Sequence, residues 1–301
     1  MTTELGDRVK QTARQAGADL VGIASIDRFE HAPPEVHPHS MFSHTQSVIA
    51  VGCRMVRGAL KTAEEGLYWG AYNCDSYQYI NEVLSPTILR QIVLLLEDQG
   101  YTAVPIHNPF HAHTGRPVRP GATSPDGIIS LRVIGCAAGL GELGLSKLFL
   151  TPQFGPRQRM YAVLTDAVLP ADPLLGEPVC DECGACLRAC PADAIGSERT
   201  VEVPIGDRVF GHAAFDPEKC VHVHTGWNPT YSPFLEADSS RENPPSYYRF
   251  LDHRFRHRSI CVGRGCVRAC LDHLEKKGRL QYTFRTPMIE GKQWVLPELE
   301  D

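Results

Sequence analysis

The chain lacks long hydrophobic runs and long stretches of Lys and Arg. No uninterrupted apolar stretch approaches the roughly 18 residues that a membrane-spanning helix needs. Residues Met1 to Asp7 have neither the basic nor the apolar region of a secretory signal, and no twin-arginine pair is present there. We therefore expect a cytoplasmic protein that makes no membrane contact. A net charge of −5 and a pI near 6.2 also argue against a nucleic-acid partner.

The composition is that of an ordinary globular protein. Hydrophobic residues make up 43% of the 301 residues and charged residues 22%, which excludes a fibrous or disordered chain. A chain of this length can bury a full core, and it predicts one domain of moderate size with a smaller one beside it.

Hydrophobic periodicity in the first half alternates between helical and extended patterns. Residues 3–16 and 77–99 have helical spacing, with Gly100 as a stop and Pro86 as a kink or restart, and three short apolar runs read as strands. The pattern predicts an α+β fold, and the segment 169–173 resembles a linker into the second half. The predicted strands are 19–24, 47–52 and 101–106.

Cysteine is abundant, with 11 residues, and eight of them lie in the second half. Four form the pattern C-x2-C-x2-C-x3-C-P that bacterial ferredoxins use to bind iron–sulfur clusters: Cys180, Cys183, Cys186 and Cys190. In two-cluster ferredoxins the fourth cysteine of this run ligates the other cluster. The run therefore predicts a second cluster.

Four more cysteines can complete two clusters. By ferredoxin logic, Cys270 joins the first three cysteines of the run, while Cys190 joins the second group. Because the second half departs from the usual spacing, a [3Fe–4S] cluster or a lost ligand remains an alternative. The second group is Cys190, Cys220, Cys261 and Cys266.

Zinc and disulfides are the competing interpretations of these cysteines. Zinc sites use two separated C-x2-C pairs rather than a run of four that ends in Cys-Pro. Disulfides are disfavoured by the absence of a secretory signal. We therefore favour two [4Fe–4S] clusters. Three other cysteines are expected to be small buried apolar residues: Cys53, Cys74 and Cys136.

A glycine run at 139–144 matches the dinucleotide fingerprint G-x-G-x-x-G. Pro152 follows too soon for the long helix that such a site needs, so we reject that interpretation. Three glycines in one short stretch still indicate that the backbone closely approaches a flat cofactor or a neighbouring helix.

Several segments resemble those of cobalamin-dependent reductive dehalogenases and epoxyqueuosine reductases. They are residues 18–24, 75–77, 138–144, 149–157 and 162–166, followed by the four-cysteine run. The resemblance implies a nitroreductase-like, corrinoid-binding α/β domain at 1–172, a two-cluster ferredoxin-like domain at 173–285 and a C-terminal extension at 286–301. It also implies that electrons pass from the clusters to cobalt and then to the substrate.

The resemblance further implies which residues contact the corrin and donate a proton. The proton-donor candidates are Tyr72, Tyr77 and Asp126; Asp126 is out of register with the acidic segment of epoxyqueuosine reductases. Core packing is the competing interpretation of both tyrosines. The corrin-contacting positions are Gly139, Leu140, Gly141, Gly144, Thr151, Phe154, Gly155 and Thr165.

Three functional hypotheses follow. The first is an iron–sulfur, cobalamin-dependent reductase that acts on a small molecule and is supplied by a donor such as ferredoxin or flavodoxin. The second is an electron-transfer or activator protein for a separate corrinoid protein or enzyme. The third, ranked last, places a flavin at the corrin position. A tRNA substrate is disfavoured by the acidic charge, and residues 286–301, with Trp294, are a candidate arm for homodimer formation.

Overall fold

A four-stranded antiparallel sheet organises the first half of the chain. The structure is a computed structural model, and it describes residues 2–107, 129–224, 226, 231–235, 259–291 and 294–296. The sheet has the order β1-β2-β6-β3. The strands are β1 (Leu20–Ser25), β2 (Ser47–Arg54), β3 (Ala103–Ile106), β4 (Glu142–Leu143), β5 (Phe149–Leu150), β6 (Gln158–Thr165), β7 (Ile195–Ile205) and β8 (Arg208–Phe215).

The helices cover both faces of this sheet and build the second half. A π-helix, Tyr72–Leu84, leads directly into α3, and short 3-10 turns follow β1. The α-helices are α1 (Thr2–Gln15), α2 (Arg57–Glu64), α3 (Ser85–Glu97), α4 (Leu131–Ala137), α5 (Ala185–Arg188), α6 (Pro217–His224), α7 (Cys261–Arg264) and α8 (Cys266–Lys276).

Strand β2 is buried on both faces. Its Ile49 and Val51 join a core with residues of α1 and α3, whereas Val48 and Ala50 join a second core that includes Ile134 of α4. Successive side chains of a strand point to opposite faces, so a strand between two cores reads as a continuous apolar run. This explains why β2 shows no alternation of polar and apolar residues.

The helix predicted at 77–99 is confirmed, and the helical segment begins earlier. The π-helix starts at Tyr72, and Pro86 lies in the first turn of α3. Proline has no amide hydrogen to donate to the preceding helical turn, and Ser85 Oγ instead donates to the carbonyl oxygen of Asn81 at 3.3 Å. Gly100 follows with φ +82°, a left-handed conformation that glycine adopts readily after a helix.

The larger core does not stop at the predicted boundary near residue 172. Val262, Leu271 and Leu274, from α7 and α8, pack into the same core as α1 and α3. Helix α7 also packs against α2. The two-domain division stays a prediction, and the second half is held on the first by shared apolar packing.

The predicted dimer arm contacts its own chain. The ring of Trp294 meets Trp69 edge-on at a centroid distance of 5.6 Å, and Arg264 lies 4.8 Å above the Trp294 ring. Homodimer formation stays a prediction. Within the ranges that the structure describes, no helix has the length and apolar character required to cross a membrane.

Candidate metal centre

Four thiols line one cavity at the junction of the loop at 180–190 and helix α8. The walls of this cavity include Cys180, Cys183, Cys186 and Cys270. We call these the first thiol group. They are the residues that ferredoxin logic assigns to one cluster, brought together from positions far apart in the sequence.

Left-handed residues turn the loop around this cavity. Glu182 has φ 55° and Gly184 has φ 70°, and the one-turn helix α5 then presents Cys186. Such conformations turn the chain sharply. Helix α8 packs against α5 and supplies Cys270.

The other four cysteines form the second thiol group: Cys190, Cys220, Cys261 and Cys266. Cys220 lies on α6, Cys261 begins α7 and Cys266 begins α8. Burial raises the pKa of Cys261 well above its ordinary value, and the charges of Cys266, Cys220 and Cys190 raise it further. These thiols therefore lie within electrostatic reach of one another.

Burial also raises the pKa of one thiol from each group on helix α8. It raises the pKa of Cys266 to about 12, and it raises the pKa of Cys270, where the charges of Cys186 and Cys180 add to the effect. Thiolates crowded in a low-dielectric site are unfavourable unless a cation neutralises them. A metal or an iron–sulfur cluster supplies that positive charge.

Polar side chains that the sequence analysis did not single out brace the loop of the first thiol group. Glu142 Oε1 accepts hydrogen bonds from the amides of Val179, at 2.7 Å, and Cys180, at 2.6 Å. On the outer side, His273 Nε2 lies 2.8 Å from Asp181 Oδ2. Glu142 stands inside the glycine run, but only the folded chain shows that it reaches the cysteine loop.

Two arginines complete this bracing. Arg199 donates from Nε to Glu182 Oε1 at 2.9 Å and from Nη1 to the carbonyl oxygen of Leu143 at 3.2 Å. Arg279 donates from Nε to the carbonyl oxygen of Val179 at 3.0 Å. The loop that presents the first three cysteines is therefore tied to β4, to β7 and to the segment after α8.

The glycine run makes room for the protein's own backbone. A Cβ atom at Gly139 would overlap the carbonyl oxygen of Pro173, and one at Gly141 would overlap that of Leu150. At Gly144 a Cβ would lie 2.7 Å from Leu150 Cδ1. The run contains strand β4 and leads to β5, and no long helix follows it directly in the described residues.

The remaining predicted corrin positions also contact the protein itself. Phe154 stacks on Tyr282 at a centroid distance of 5.1 Å, and a Cβ at Gly155 would lie 3.2 Å from Leu274 Cδ1. Thr151 Oγ1 accepts a hydrogen bond from the Phe154 amide at 3.1 Å. These three residues are held between β6 and the segment that follows α8.

Thr165 and Leu140 have similar protein environments. Thr165 Oγ1 donates to the carbonyl oxygen of Thr102 at 2.9 Å and accepts from the Ala167 amide at 3.1 Å. Leu140 packs against the second core, next to Gly22. The role of all eight residues in corrin binding stays a prediction.

The two candidate tyrosines share one arginine. Tyr72 Oη accepts a hydrogen bond from Arg159 Nη2 at 2.8 Å, and the guanidinium of Arg159 lies 4.4 Å from the Tyr77 ring centroid. A π-helix joins backbone groups five residues apart, so Tyr72 and Tyr77 lie close together on one side of it. Both side chains are buried, and Asp126 lies outside the described residues.

The three cysteines outside the thiol groups differ from one another. Cys53 and Cys136 are fully buried, as expected for small apolar residues, whereas Cys74 is exposed. The prediction for Cys74 is therefore wrong. The π-helix turns this residue outward while it turns Tyr72 and Tyr77 inward.

Two curated proteins that are similar in sequence to this chain are both named tetrachloroethene reductive dehalogenase. The tetrachloroethene reductive dehalogenase of Dehalobacter restrictus (strain DSM 9455 / PER-K23) is 44% identical over 244 residues, which cover 66% of this chain and 40% of that relative. The protein of the same name from Sulfurospirillum multivorans is 26% identical over 227 residues, which cover 64% of this chain and 40% of that relative. The matching part of the chain is thus similar in sequence to reductive dehalogenases.

Solved structures agree at the level of the fold. A reductive dehalogenase whose structure suggests a mechanism for B12-dependent dehalogenation has a TM-score of 0.56 at 15% identity, covering 100% of this chain and 42% of that chain. A variant of a catabolic reductive dehalogenase has a TM-score of 0.55 at 19% identity, covering 74% of this chain and 30% of that chain. No protein-family profile matches the chain. The chain spans about 40% of the length of the curated relatives that it matches.

Proposed function

We propose that the chain is an iron–sulfur, corrinoid-dependent reductase. In this proposal two [4Fe–4S] clusters pass electrons to a cobalt centre that reduces a small-molecule substrate. The observation that carries it is the cavity lined by Cys180, Cys183, Cys186 and Cys270, with a second thiol group beside it. The relatedness to reductive dehalogenases supports the reductase part.

The chemistry of the donor set fits iron–sulfur clusters. Each group offers four thiols, and Leu145, Ile195 and Ala213 form a small apolar cluster against which Cys180, Cys190 and Cys266 pack. Thiolate ligands in apolar surroundings are what a [4Fe–4S] cluster needs, and the bound clusters supply one-electron transfer at low potential. The protein's part is to hold the thiols in place and to exclude water.

The eight residues predicted to contact a corrin contact other residues of the protein instead. The spaces beside Gly139, Gly141 and Gly155 are filled by Pro173, Leu150 and two leucines of the second half. The proposal of corrinoid dependence therefore rests on similar proteins. One of them is a reductive dehalogenase whose structure suggests a mechanism for B12-dependent dehalogenation.

Tyr72 is the proton-donor candidate that the described geometry supports best. Because its oxygen accepts a hydrogen bond from Arg159, its own hydrogen is left for donation. In Tyr77 burial raises the pKa strongly, and the cation of Arg159 opposes that effect. A proton is therefore harder to withdraw from Tyr77.

The first thiol group is the proposed entry point for electrons. Cys183 is exposed, whereas Cys186 in the same group is buried. A donor such as ferredoxin or flavodoxin can approach a cluster only where its ligands reach the surface, since electron transfer needs short distances. We place the docking of that donor at the loop around Cys183.

An electron-transfer or activator protein is the second candidate. It is favoured by the protein contacts that fill the predicted corrin positions. In this function the clusters supply electrons to a separate corrinoid protein or enzyme.

The test is an anaerobic titration of the cluster-loaded protein with hydroxocobalamin, followed by gel filtration and metal analysis. The proposal expects about one cobalt retained per chain, and chloride release from tetrachloroethene when a low-potential dye supplies electrons. Clusters without retained cobalt would instead favour the electron-transfer function. A flavin absorbance in the isolated protein would favour the third hypothesis.

The proton-donor assignment has its own variants. Tyr72→Phe is expected to lower chloride release at least tenfold while cluster content and dye-driven cluster reduction stay at wild-type values. Tyr79→Phe is the matched control because Tyr79 lies on the same π-helix and is exposed. Equal chloride release by Tyr72→Phe and Tyr79→Phe would overturn the assignment.

A further inference from the structure

Trp69, between helix α2 and the π-helix, contacts the chain on both sides of Cys261. Its Nε1 donates a hydrogen bond to the carbonyl oxygen of Ser259 at 3.2 Å, and a Cβ atom at Gly263 would lie 2.9 Å from its Cζ2. We propose that Trp69 is a positioning residue that holds Cys261 in the second thiol group and thereby stabilises the second cluster. The inference rests on the proposed function, since it requires a cluster on that group.

The contact between Trp69 and Ser259 is buried. Trp69 is 6% exposed and Ser259 is 2% exposed. A buried carbonyl that loses its hydrogen-bond donor is destabilising, because no water replaces the donor. Cys261 follows Ser259 by two residues and begins helix α7. The hydrogen bond from Trp69 therefore fixes the backbone from which α7 starts.

Helix α7 also lies as close to helix α2 as a glycine allows. A Cβ atom at Gly263 would lie only 2.5 Å from the carbonyl oxygen of Ala63 on α2. Only glycine permits backbones to approach this closely. Val262, between Cys261 and Gly263, is buried in the larger core. The backbone is therefore held on both sides of the Cys261 thiol.

Ser259 connects two of the helices that carry thiols of the second group. Its Oγ lies 3.0 Å from Nδ1 of His224, the last residue of α6, and α6 carries Cys220. The same residue accepts the hydrogen bond from Trp69 through its carbonyl oxygen. Trp69 thus ties the point where α6 and the start of α7 meet to the first half of the chain.

Two aromatic side chains hold the Trp69 ring in place. Phe234 and Trp294 meet it edge-on, at centroid distances of 5.3 Å and 5.6 Å. Edge-to-face contacts of this kind are favourable and fix the orientation of the rings. The two tryptophans differ in their polar contacts. Among the residues that the structure describes, the buried Nε1 of Trp294 has no hydrogen-bond partner.

Trp69 also leads into the helix that carries the proposed proton donor. Its carbonyl oxygen accepts a hydrogen bond from the Asn73 amide at 3.0 Å, and Tyr72 begins the π-helix. The side chain of Trp69 therefore contacts the second thiol group's segment, while its main chain contacts the helix of Tyr72. The second cluster is held on the same part of the fold as the proposed proton donor.

The test compares Trp69→Phe with Trp294→Phe in the cluster-loaded protein without oxygen. Both substitutions keep an aromatic ring, and only Trp69→Phe removes a described hydrogen bond. In electron paramagnetic resonance of the reduced protein, the signal that Cys261→Ser alters identifies the second cluster. The signal that Cys183→Ser alters identifies the first.

A ferrous-iron chelator is then added, and the decay of each signal is followed. We expect Trp69→Phe to lose the second-cluster signal about fivefold faster than the wild type, because one buried hydrogen bond is missing. Its first-cluster signal and both signals of Trp294→Phe are expected to decay at wild-type rates. A general loss of stability would speed the decay of both clusters, so the selective effect reports positioning.

A second pair of variants tests the same contact from the side of α7. Gly263→Ala places a methyl group against Trp69 and Ala63, and we expect faster decay of the second cluster alone. Gly176→Ala is the control, because a Cβ atom there meets nothing within 4 Å. This pair decides the inference if Trp69→Phe does not fold, and equal decay in the two glycine variants would then overturn it.

The outcomes separate the inference from the proposed function. Second-cluster decay that is equal in Trp69→Phe and Trp294→Phe, or decay of both clusters that Trp69→Phe accelerates equally, would overturn the role of Trp69. Either result leaves the proposed function standing. A wild-type protein that binds no iron–sulfur cluster would overturn both.

Discussion

Arg268 on helix α8 donates two hydrogen bonds to Glu64 Oε1 on helix α2, from Nε at 3.3 Å and from Nη2 at 2.8 Å. Their side chains are only 8% and 2% exposed. Helix α8 also carries Cys266 and Cys270. Helix α8 therefore supplies a cysteine to each thiol group, and helix α2 follows the central strand β2. The buried ion pair joins these two helices.

Removing one member of this pair is predicted to destabilise the protein strongly. Glu64→Ala leaves the guanidinium of Arg268 buried without its partner, which costs about 3 to 5 kcal/mol of unfolding free energy. We expect the melting temperature of the cluster-free protein to fall by several degrees. Glu97→Ala, at an exposed helix end, is the control and is expected to change stability by less than about 0.5 kcal/mol.

A double variant distinguishes a buried charge from lost packing. Glu64→Leu with Arg268→Leu replaces the pair by apolar groups and is expected to recover most of the loss, because no unpaired charge remains. If the double variant melts no higher than Glu64→Ala, the loss comes from packing rather than from the charge.

The glycine run is predicted to tolerate no side chain at Gly139. Gly139→Ala would place a Cβ on the carbonyl oxygen of Pro173, in a left-handed conformation with φ +71°. Gly278→Ala is the matched control, because Gly278 has φ +63° and its Cβ would meet nothing within 4 Å. The loss of stability in Gly278→Ala therefore measures only the strain of a left-handed alanine backbone, about 1 kcal/mol.

We therefore expect Gly139→Ala to lower the melting temperature of the cluster-free protein much more than Gly278→Ala does. The comparison is made without any cofactor, so it isolates packing within the chain. Equal melting temperatures for the two variants would contradict the close approach of Gly139 and Pro173.

Thiol reactivity is predicted to differ among the cysteines outside the thiol groups. Desolvation raises the pKa of Cys53 to about 12, with a smaller contribution from Asp19, and burial also raises the pKa of Cys136. Below pH 9 both groups are neutral thiols in the folded protein, and the thiolate is the reactive form. Cys74 is exposed and accessible to reagents.

Brief treatment of the folded, cluster-loaded protein with iodoacetamide at pH 8 should modify Cys74 and spare Cys53 and Cys136. Peptide mass mapping measures the modified fraction of each. In denaturant, where burial is lost, all three should react. Modification of Cys53 in the folded protein at a rate comparable with Cys74 would contradict its burial between β1 and β6.

Local sequence patterns predicted the helices and strands whose formation depends on residues close together in the sequence. The helices at 3–16 and 77–99 and the three strands follow from periodicity, and Gly100 and Pro86 act as expected. The cysteine run could be read because a cluster needs ligands at fixed short spacings. In each case the residues that determine the outcome lie close together in the sequence.

Contacts between distant residues could not be predicted in this way. Glu142 was read as part of a glycine fingerprint, yet its partners are the amides of Val179 and Cys180. The π-helix is an irregularity of hydrogen bonding that no simple period reveals, and it decides that Cys74 faces outward. The glycines could be recognised as sites of close approach, but not their partners, Pro173 and Leu150.

The most direct test of the account is the metal content of the wild-type protein, isolated without oxygen, together with Cys183→Ser and Cys136→Ser. We expect about eight irons and eight sulfides per chain in the wild type, the same values in Cys136→Ser and less iron in Cys183→Ser. Zinc in place of iron, or an iron content that Cys183→Ser leaves unchanged, would contradict the assignment of the two thiol groups.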